Sequence, residues 1–199
     1  ILGNRALHLE VRFAPRGKTL EITATITNRT QGPLRLSHAA SLAMPLPPWA
    51  SMAYPLSGRW ADEWHVSTLP LIADTTLSKC SQEGRPGFSG AQFAVLGEAD
   101  LTETAGQAIA LTLLWPGAAC QAIERASDGQ GQVQIGAAFR PGEVTLAPSE
   151  AYILPSVLMT CSVNGRNGVR AAFHDAIRMR LPDHTVPRPV HFNTWEAAY

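Results

Sequence analysis

Apolar and polar residues alternate from the start of the chain. Leu7, Leu9, Val11 and Phe13 are interleaved with His8, Glu10 and Arg12. A period of two puts one strand face in a core and the other in water. Pro15-Arg16-Gly17 reads as a turn. A second alternation follows, with Leu20, Ile22, Ala24 and Ile26 set between Glu21, Thr23, Thr25 and Thr27. The threonines are β-branched and suit a half-exposed pleat. After a turn over 28–33, Leu34 and Leu36 begin a third strand, so the spacing predicts an antiparallel meander. The pattern returns at Ile109, Leu111, Leu113 and Trp115. It recurs at Val133, Ile135, Ala137 and Phe139 after the turn signal Asp128-Gly129, and again at Val144 and Leu146 after Pro141-Gly142.

Between these blocks the pattern breaks. Met44-Pro45-Leu46-Pro47-Pro48-Trp49 is too proline-rich for a central strand, and 81–87 reads as a loop. Near the end the period changes. Val169, Phe173, Ile177 and Leu181 recur every four residues, which predicts an amphipathic helix over 168–181 that buries all four. Asn167 is the expected N-cap and Pro182 the stop. A proline-rich linker leads to Val190-His191-Phe192-Asn193-Thr194-Trp195, which reads as a mostly buried strand at the very end of the chain.

Composition agrees with a turn-rich β protein. Of 199 residues 45% are hydrophobic and only 16% charged, and there are 15 prolines and 16 glycines. Lysine plus arginine equals aspartate plus glutamate, 16 each, and a zero net charge argues against a binder of nucleic acid or another polyanion. No stretch approaches the roughly 20 apolar residues of a membrane span. The chain opens on Ile1 rather than methionine, so its true start is expected upstream. Cys80, Cys120 and Cys161 are odd in number and contain no CxxC pair, which predicts buried or free thiols rather than a framework. A Cys120–Cys161 bridge stays open.

The chain contains no GxGxxG with an acidic partner, no GxxxxGK[ST], no GxSxG and no HExxH. Its six histidines show no metal spacing, and no cofactor is expected. Asn28-Arg29-Thr30 fits a glycosylation triplet but sits where a turn wants asparagine. Two clusters remain. In Arg59-Trp60-Ala61-Asp62-Glu63-Trp64, aromatic faces stand beside hydrogen-bonding groups, as in a sugar pocket, although two tryptophans also serve as core. Asn193-Thr194-Trp195-Glu196-Ala197-Ala198-Tyr199 packs an amide, an indole, a carboxylate and a phenol behind an apolar run. At the C-terminal end of a barrel strand these would face substrate.

At that last cluster a family comes into view. Residues 188–199, from Arg188-Pro189 through Asn193-Thr194-Trp195-Glu196-Ala197-Ala198-Tyr199, closely resemble the start of the catalytic barrel in glycoside hydrolase family 36 α-galactosidases. There the run reads Arg-Pro-x-x-x-Asn-x-Trp-Glu-Ala-x-Tyr-Phe-Asp. Landmarks upstream come in the same order. Leu56-Ser57-Gly58-Arg59-Trp60-Ala61-Asp62-Glu63 is similar to the family's Leu-x-Gly-x-Trp-x-x-Glu. Gln82-Glu83-Gly84-Arg85 loosely resembles its Arg-Gly-x-x-Ser stretch. Leu114-Trp115 is similar to its Trp-Ser-Gly strand end, with Pro116 in place of serine. Ile135-Gly136, Pro141-Gly142-Glu143 and Pro148-Ser149-Glu150 follow, then Ala172-Phe173-His174.

The resemblance implies a mainly β fold, an antiparallel supersandwich like galactose-mutarotase domains. Residues 1–165 would be part of that sandwich, 166–188 a linker helix and proline-rich linker, and 189–199 the truncated first strand of a (β/α)8 barrel. It implies hydrolysis of terminal α-galactosides with retention by two carboxylates of the barrel, so the chain alone is expected to be inactive. Trp195, with Asn193 and Glu196 behind it, would wall the galactose. Trp60 and Arg59 would border the barrel or a subunit interface, with a homo-oligomer as one expected state. The implied partners are α-galactoside oligosaccharides. A cytoplasmic location is favoured over a periplasmic one. Two other classes fit the residues: a carbohydrate-binding module with Trp60 and Trp64 as its platform, and a structural β-sandwich that packs its aromatic loops on partners.

Overall fold

The two N-terminal alternations form one long hairpin. The computed structural model describes residues 2–3, 6–82, 92–181, 189–192 and 194, with β1 at Leu2–Gly3, β2 at Leu7–Arg16 and β3 at Thr19–Asn28. Gly17 sits at φ +60° in the β2–β3 turn, a backbone region open to glycine at no steric cost. Short strands follow: β4 (Leu34–Leu36), β5 (His38–Pro45), β6 (Met52–Ala53), β7 (Leu56–Arg59), β8 (Asp62–Val66) and β9 (Leu69–Pro70). The middle of the chain carries β10 (Thr75–Ser81), β11 (Phe93–Gly97), β12 (Ala108–Leu113), β13 (Ala119–Arg125) and β14 (Gly131–Ala138). Then come β15 (Val144–Leu146), β16 (Ala151–Ile153), β17 (Val157–Ser162) and the helix α1 (Gly165–Arg178).

Among the described residues the strands build two main antiparallel sheets and two two-stranded ones, β15-β4 and β7-β8. The larger has nine strands in the order β1-β2-β3-β17-β12-β11-β6-β9, with β16 also on β3. The smaller runs β10-β13-β14-β5. Strand periodicity divides the core. Leu96, Ile109, Leu111 and Val157 face Ile123, Val133 and Ile135 of the small sheet. Their neighbours Val95, Ala108, Ala110 and Leu158 face Val169, Phe173 and Ala176 of α1. The centre of the large sheet is therefore covered on both sides, which is why β11 and β12 read as continuous apolar runs rather than alternations. Alanines at 108 and 110 leave room for the helix, and Phe173 meets Phe93 edge to face with ring centres 5.6 Å apart.

The predicted meander is not what forms. β3 pairs with β17 through Leu20–Ile22 and with β16 through Thr25–Thr27, while β4 pairs with β15. Asn28 explains the divergence. It is fully buried, and its Nδ2 donates to the carbonyls of Gly32 (2.9 Å), Leu146 (3.0 Å) and Ala147 (3.1 Å). Its Oδ1 accepts from the backbone N–H and the hydroxyl of Thr30 at 2.9 and 2.8 Å. One side chain thus ties the end of β3 to the following turn and to β15. The triplet Asn28-Arg29-Thr30 is a structural stitch, its amide used inside the fold.

Other expectations need correction. Phe13 lies near the turn end of the hairpin, opposite Ile22, and is exposed. Trp115 falls beyond the end of β12. The helix begins earlier than predicted, with Asn164 rather than Asn167 at the cap and no side-chain cap. Its first N–H groups are taken by the carbonyls of Gly106, Thr102, Glu103 and Asn164, so a neighbouring loop does the capping. Val169 and Phe173 are buried as expected, but Ile177 is 51% exposed and Leu181 is exposed as well. The C-terminal end is held instead by charge. Arg180 Nη2 and Arg16 Nε both donate to Glu21 Oε2, at 3.0 and 3.1 Å. Burial pushes the Glu21 carboxyl up, and hydrogen bonds from the two guanidiniums outweigh it, leaving the group below its ordinary value. Cys80 and Cys120 form a disulfide and Cys161 is free. Neither an all-thiol chain nor a Cys120–Cys161 bridge is observed, because Cys80 and Cys120 are direct cross-strand partners. Finally, residues 189–192 form no strand, and Val190 is 99% exposed. The loop predicted over 81–87 falls mostly outside the described residues.

Two substitutions test this arrangement. Asn28→Asp sets a buried carboxylate against three carbonyl oxygens and should lower unfolding free energy by about 3 kcal/mol or more, read from the urea midpoint. Phe173→Ala should cost about 3–5 kcal/mol, whereas Ile177→Ala should cost under about 1 kcal/mol. Equal effects would contradict the burial difference.

Candidate functional site

Among the described residues, the hairpin of β7 and β8 carries two of the four non-glycine residues with positive φ. Arg59 pairs with Asp62 across the two-residue turn Trp60-Ala61, and Ser57 pairs with His65. One residue, Gly58, therefore faces two, Glu63 and Trp64, which is a β-bulge. Trp64 occupies the left-handed region at φ 65° and Ala61 at φ 60°. Such a φ is a steric cost for a bulky residue. Gly58 permits the bulge, since a Cβ there would lie 2.7 Å from Glu63 Cα and 2.9 Å from Trp64 N.

Polar groups near the tip serve the hairpin itself. Asp62 accepts from Arg59 Nε at 3.4 Å and is hydrogen-bonded to His65 Nε2. The His65 bond comes first among the causes that hold the Asp62 carboxyl below its ordinary value. A general acid needs the opposite shift. Glu63 Oε1 accepts from the Ala61 N–H at 3.1 Å. At the base, Lys79 Nζ donates to the Leu56 carbonyl oxygen, and burial pushes the Lys79 ammonium pKa down.

The bulge turns Trp64 toward a groove of about 1000 Å³ between the hairpin and α1. Phe93, Val95, Thr112 and Leu158 form its floor. One wall is Val169, Phe173 and Ile177 with Arg170 and His174 beside them. Tyr54, Leu56 and Val66 join Trp64 on the other. At one end Arg166 pairs with Glu103 at 2.6 Å and lies 5.1 Å over the Tyr54 ring, a cation–π geometry. No group of three metal-ligating side chains occurs among the described residues.

The structure thus brings Trp60, Arg59 and Trp64 onto one exposed hairpin, with Trp60 79% and Trp64 59% exposed. That removes the alternative in which both tryptophans are core. Asn193, Trp195 and Glu196 lie outside the described residues. Sequence reading missed the groove and its Tyr54–Arg166–Glu103 end. The one available signal was the row Arg166, Arg170 and His174 at four-residue spacing beside the apolar stripe.

Comparison with known proteins resolves the family. The model described as glycosyl hydrolase family 36 N-terminal domain matches residues 3–147. The chain belongs to glycosyl hydrolase family 36. An alpha-galactosidase of Escherichia coli is 28% identical over 193 residues, covering 96% of this chain and 27% of that protein. Alpha-galactosidase AgaA of Geobacillus stearothermophilus is 26% identical over 208 residues, covering all of this chain and 28% of AgaA. The chain therefore spans about a quarter of the length of these relatives. Among solved structures, family 36 alpha-galactosidase AgaB of G. stearothermophilus superposes with a TM-score of 0.85 at 23% identity, over 96% of this chain and 27% of AgaB. An AgaA variant solved with stachyose gives 0.78 at 22%, over 86% of this chain and 24% of that one. These likenesses establish the family 36 N-terminal β-sandwich fold.

Within that family 36 domain, Gly58→Ala is the sharpest probe of the hairpin. Its Cβ would strike the β8 backbone from Asp62 to Trp64, so the variant should lose amide-exchange protection over 56–66 while β12 and β14 keep theirs.

Proposed function

We propose that this chain is a non-catalytic N-terminal part of an α-galactosidase that hydrolyses terminal α-galactosides with retention. It acts by supporting the catalytic barrel and by lending residues to the edge of the sugar pocket. The observation that carries the reading is the near-complete match of this chain to about a quarter of an alpha-galactosidase. The described carboxylates fit it too. Asp62, Glu63 and Glu103 are each engaged with a neighbouring donor, whereas retention uses a pair of carboxyls about 5 Å apart that are aimed at the sugar. In the resemblance that pair belongs to the barrel. Trp195 is the proposed wall beside the galactose, with Asn193 and Glu196 positioning it. Trp60 and Arg59, exposed at the hairpin tip, are proposed to border the pocket or a subunit interface. Stachyose and raffinose, present in the AgaA structures, indicate the class of substrate.

A second reading is favoured by the exposure of Trp60 and Trp64, which could stack sugar rings as a binding platform on their own.

The expected result is that the purified chain does not hydrolyse an aryl α-galactoside. The full-length enzyme does, and Trp60→Ala there raises KM. Turnover by the pure chain that disappears on mutating one of its own residues would overturn the reading. Saturable binding of raffinose by the chain alone, lost in Trp60→Ala, would favour the platform.

A further inference from the structure

Among the described residues strand β10 is an edge. In the small sheet it hydrogen-bonds to β13 on one side, and β13 continues to β14. Its face pattern follows from register. Leu77 opposite Ile123 packs into the sandwich core, and so does the position of Lys79 opposite the buried Gln121. Cys80 opposite Cys120 falls on the other, outer face. Cys80 is exposed and Cys120 half-buried. Their outer-face neighbours are Ser78, Ala122 and Gly136, whose small side chains leave the bridge open to a thiol in solution.

The bridge has a specific mechanical position. Between Cys80 and Cys120 the chain leaves the small sheet, builds β11 and β12 in the large one, and returns as β13. The disulfide closes that 40-residue excursion and pins the edge strand covalently. The residue before it, Lys79, reaches from the same strand to the Leu56 carbonyl, at the start of the hairpin that carries Trp60 and Trp64. Beyond β10, Arg140 Nη2 donates to the Gln82 carbonyl at 3.0 Å. Whatever loosens β10 therefore loosens the hairpin's anchor.

We propose that Cys80–Cys120 is a reducible clamp that sets the mobility of the Trp60–Trp64 hairpin. A low-molecular-weight thiol or a dithiol protein attacks the exposed Cys80 Sγ as its thiolate. The Sγ–Sγ bond breaks, a mixed disulfide forms at Cys80, and Cys120 leaves as a thiolate that takes up a proton. A second thiol then attacks the external sulfur of the mixed disulfide. This releases Cys80 as a thiol and an oxidised external disulfide, two electrons having passed to the protein. The clamp stands on the strand geometry. Its consequence for sugar handling rests on the proposed role of the hairpin, so the experiment reads the clamp without using activity.

The chain, purified without reductant, is alkylated with iodoacetamide under native conditions and after incubation with glutathione. It contains three cysteines, of which one is free and exposed. The mass should show one label before reduction and three after. Amide exchange over 56–66 and 75–81 should rise at least about tenfold on reduction, with β3 and β14 unchanged. A Cys80→Ser, Cys120→Ser double variant should show the faster exchange from the outset and not respond to glutathione. Three labels before reduction, a bridge that withstands millimolar glutathione, or hairpin exchange equal in both redox states would each overturn the proposal. None of these results bears on whether the full enzyme cleaves galactosides.

Discussion

The molecule depends on one constraint: the middle of the large sheet must be buried on both faces at once. In β12 the odd positions Ile109, Leu111 and Leu113 fill the space between the sheets, and the even positions Ala108 and Ala110 accept the helix. Large side chains on one face and small ones on the other set two different spacings with a single strand. Had 108 and 110 been large, Val169 and Phe173 could not approach, and α1 would have no seat. Because α1 sits there, the loop 98–106 is held at its N-terminus, where it supplies the carbonyls that absorb the first-turn N–H groups. Both the groove and the Arg166–Glu103 pair follow from that placement.

Two polar features show how differently local chemistry is used around this frame. Asn28 is fully buried, and both ends of its amide are satisfied, so a costly desolvation becomes a specific three-way junction. The β7–β8 hairpin does the reverse. Its backbone holds Trp64 and Ala61 in left-handed conformations and leaves indoles in water. Neither choice improves folding. Strained backbone and exposed large aromatics of this kind are features of surfaces that make contacts.

Legibility followed sequence distance. The β2–β3 hairpin was readable because both strands and their turn lie within residues 7–28. The pairing of β4 with β15 was not, since it links residues more than a hundred positions apart and rests on Asn28, whose triplet has an ordinary turn explanation. The helix was readable from its four-residue repeat, but the repeat alone could not say where the supporting sheet ends. Val169 and Phe173 lie over it, whereas Ile177 lines the groove and Leu181 is exposed. Three cysteines said nothing about pairing because a cross-strand bridge depends on register, and the register of β10 on β13 is long-range. Trp60 and Arg59 stood out as a dense aromatic cluster, and the structure gave them a surface. Beyond the Arg166, Arg170 and His174 row of α1, the groove had no linear signature, because β11, β12, β17 and the hairpin each contribute only a few residues to it.

The hairpin and the groove together limit what chemistry this domain can perform. The groove floor is aliphatic and aromatic, its basic residues come from one helix face, and its carboxylate Glu103 is already paired with Arg166. The hairpin's acids are occupied at its own turn. Acid–base catalysis needs a pair of titratable groups pushed apart in pKa and aimed at a shared point. Asp62 is instead shifted down by His65, in the direction that keeps it charged. The other described groups at the groove and hairpin are apolar contact area, the cations of one helix face and two indoles at the surface. Within the hairpin's surroundings, Gly58 leaves room for the bulge and Lys79 ties β7 to β10, so its geometry is fixed by two contacts outside its own turn.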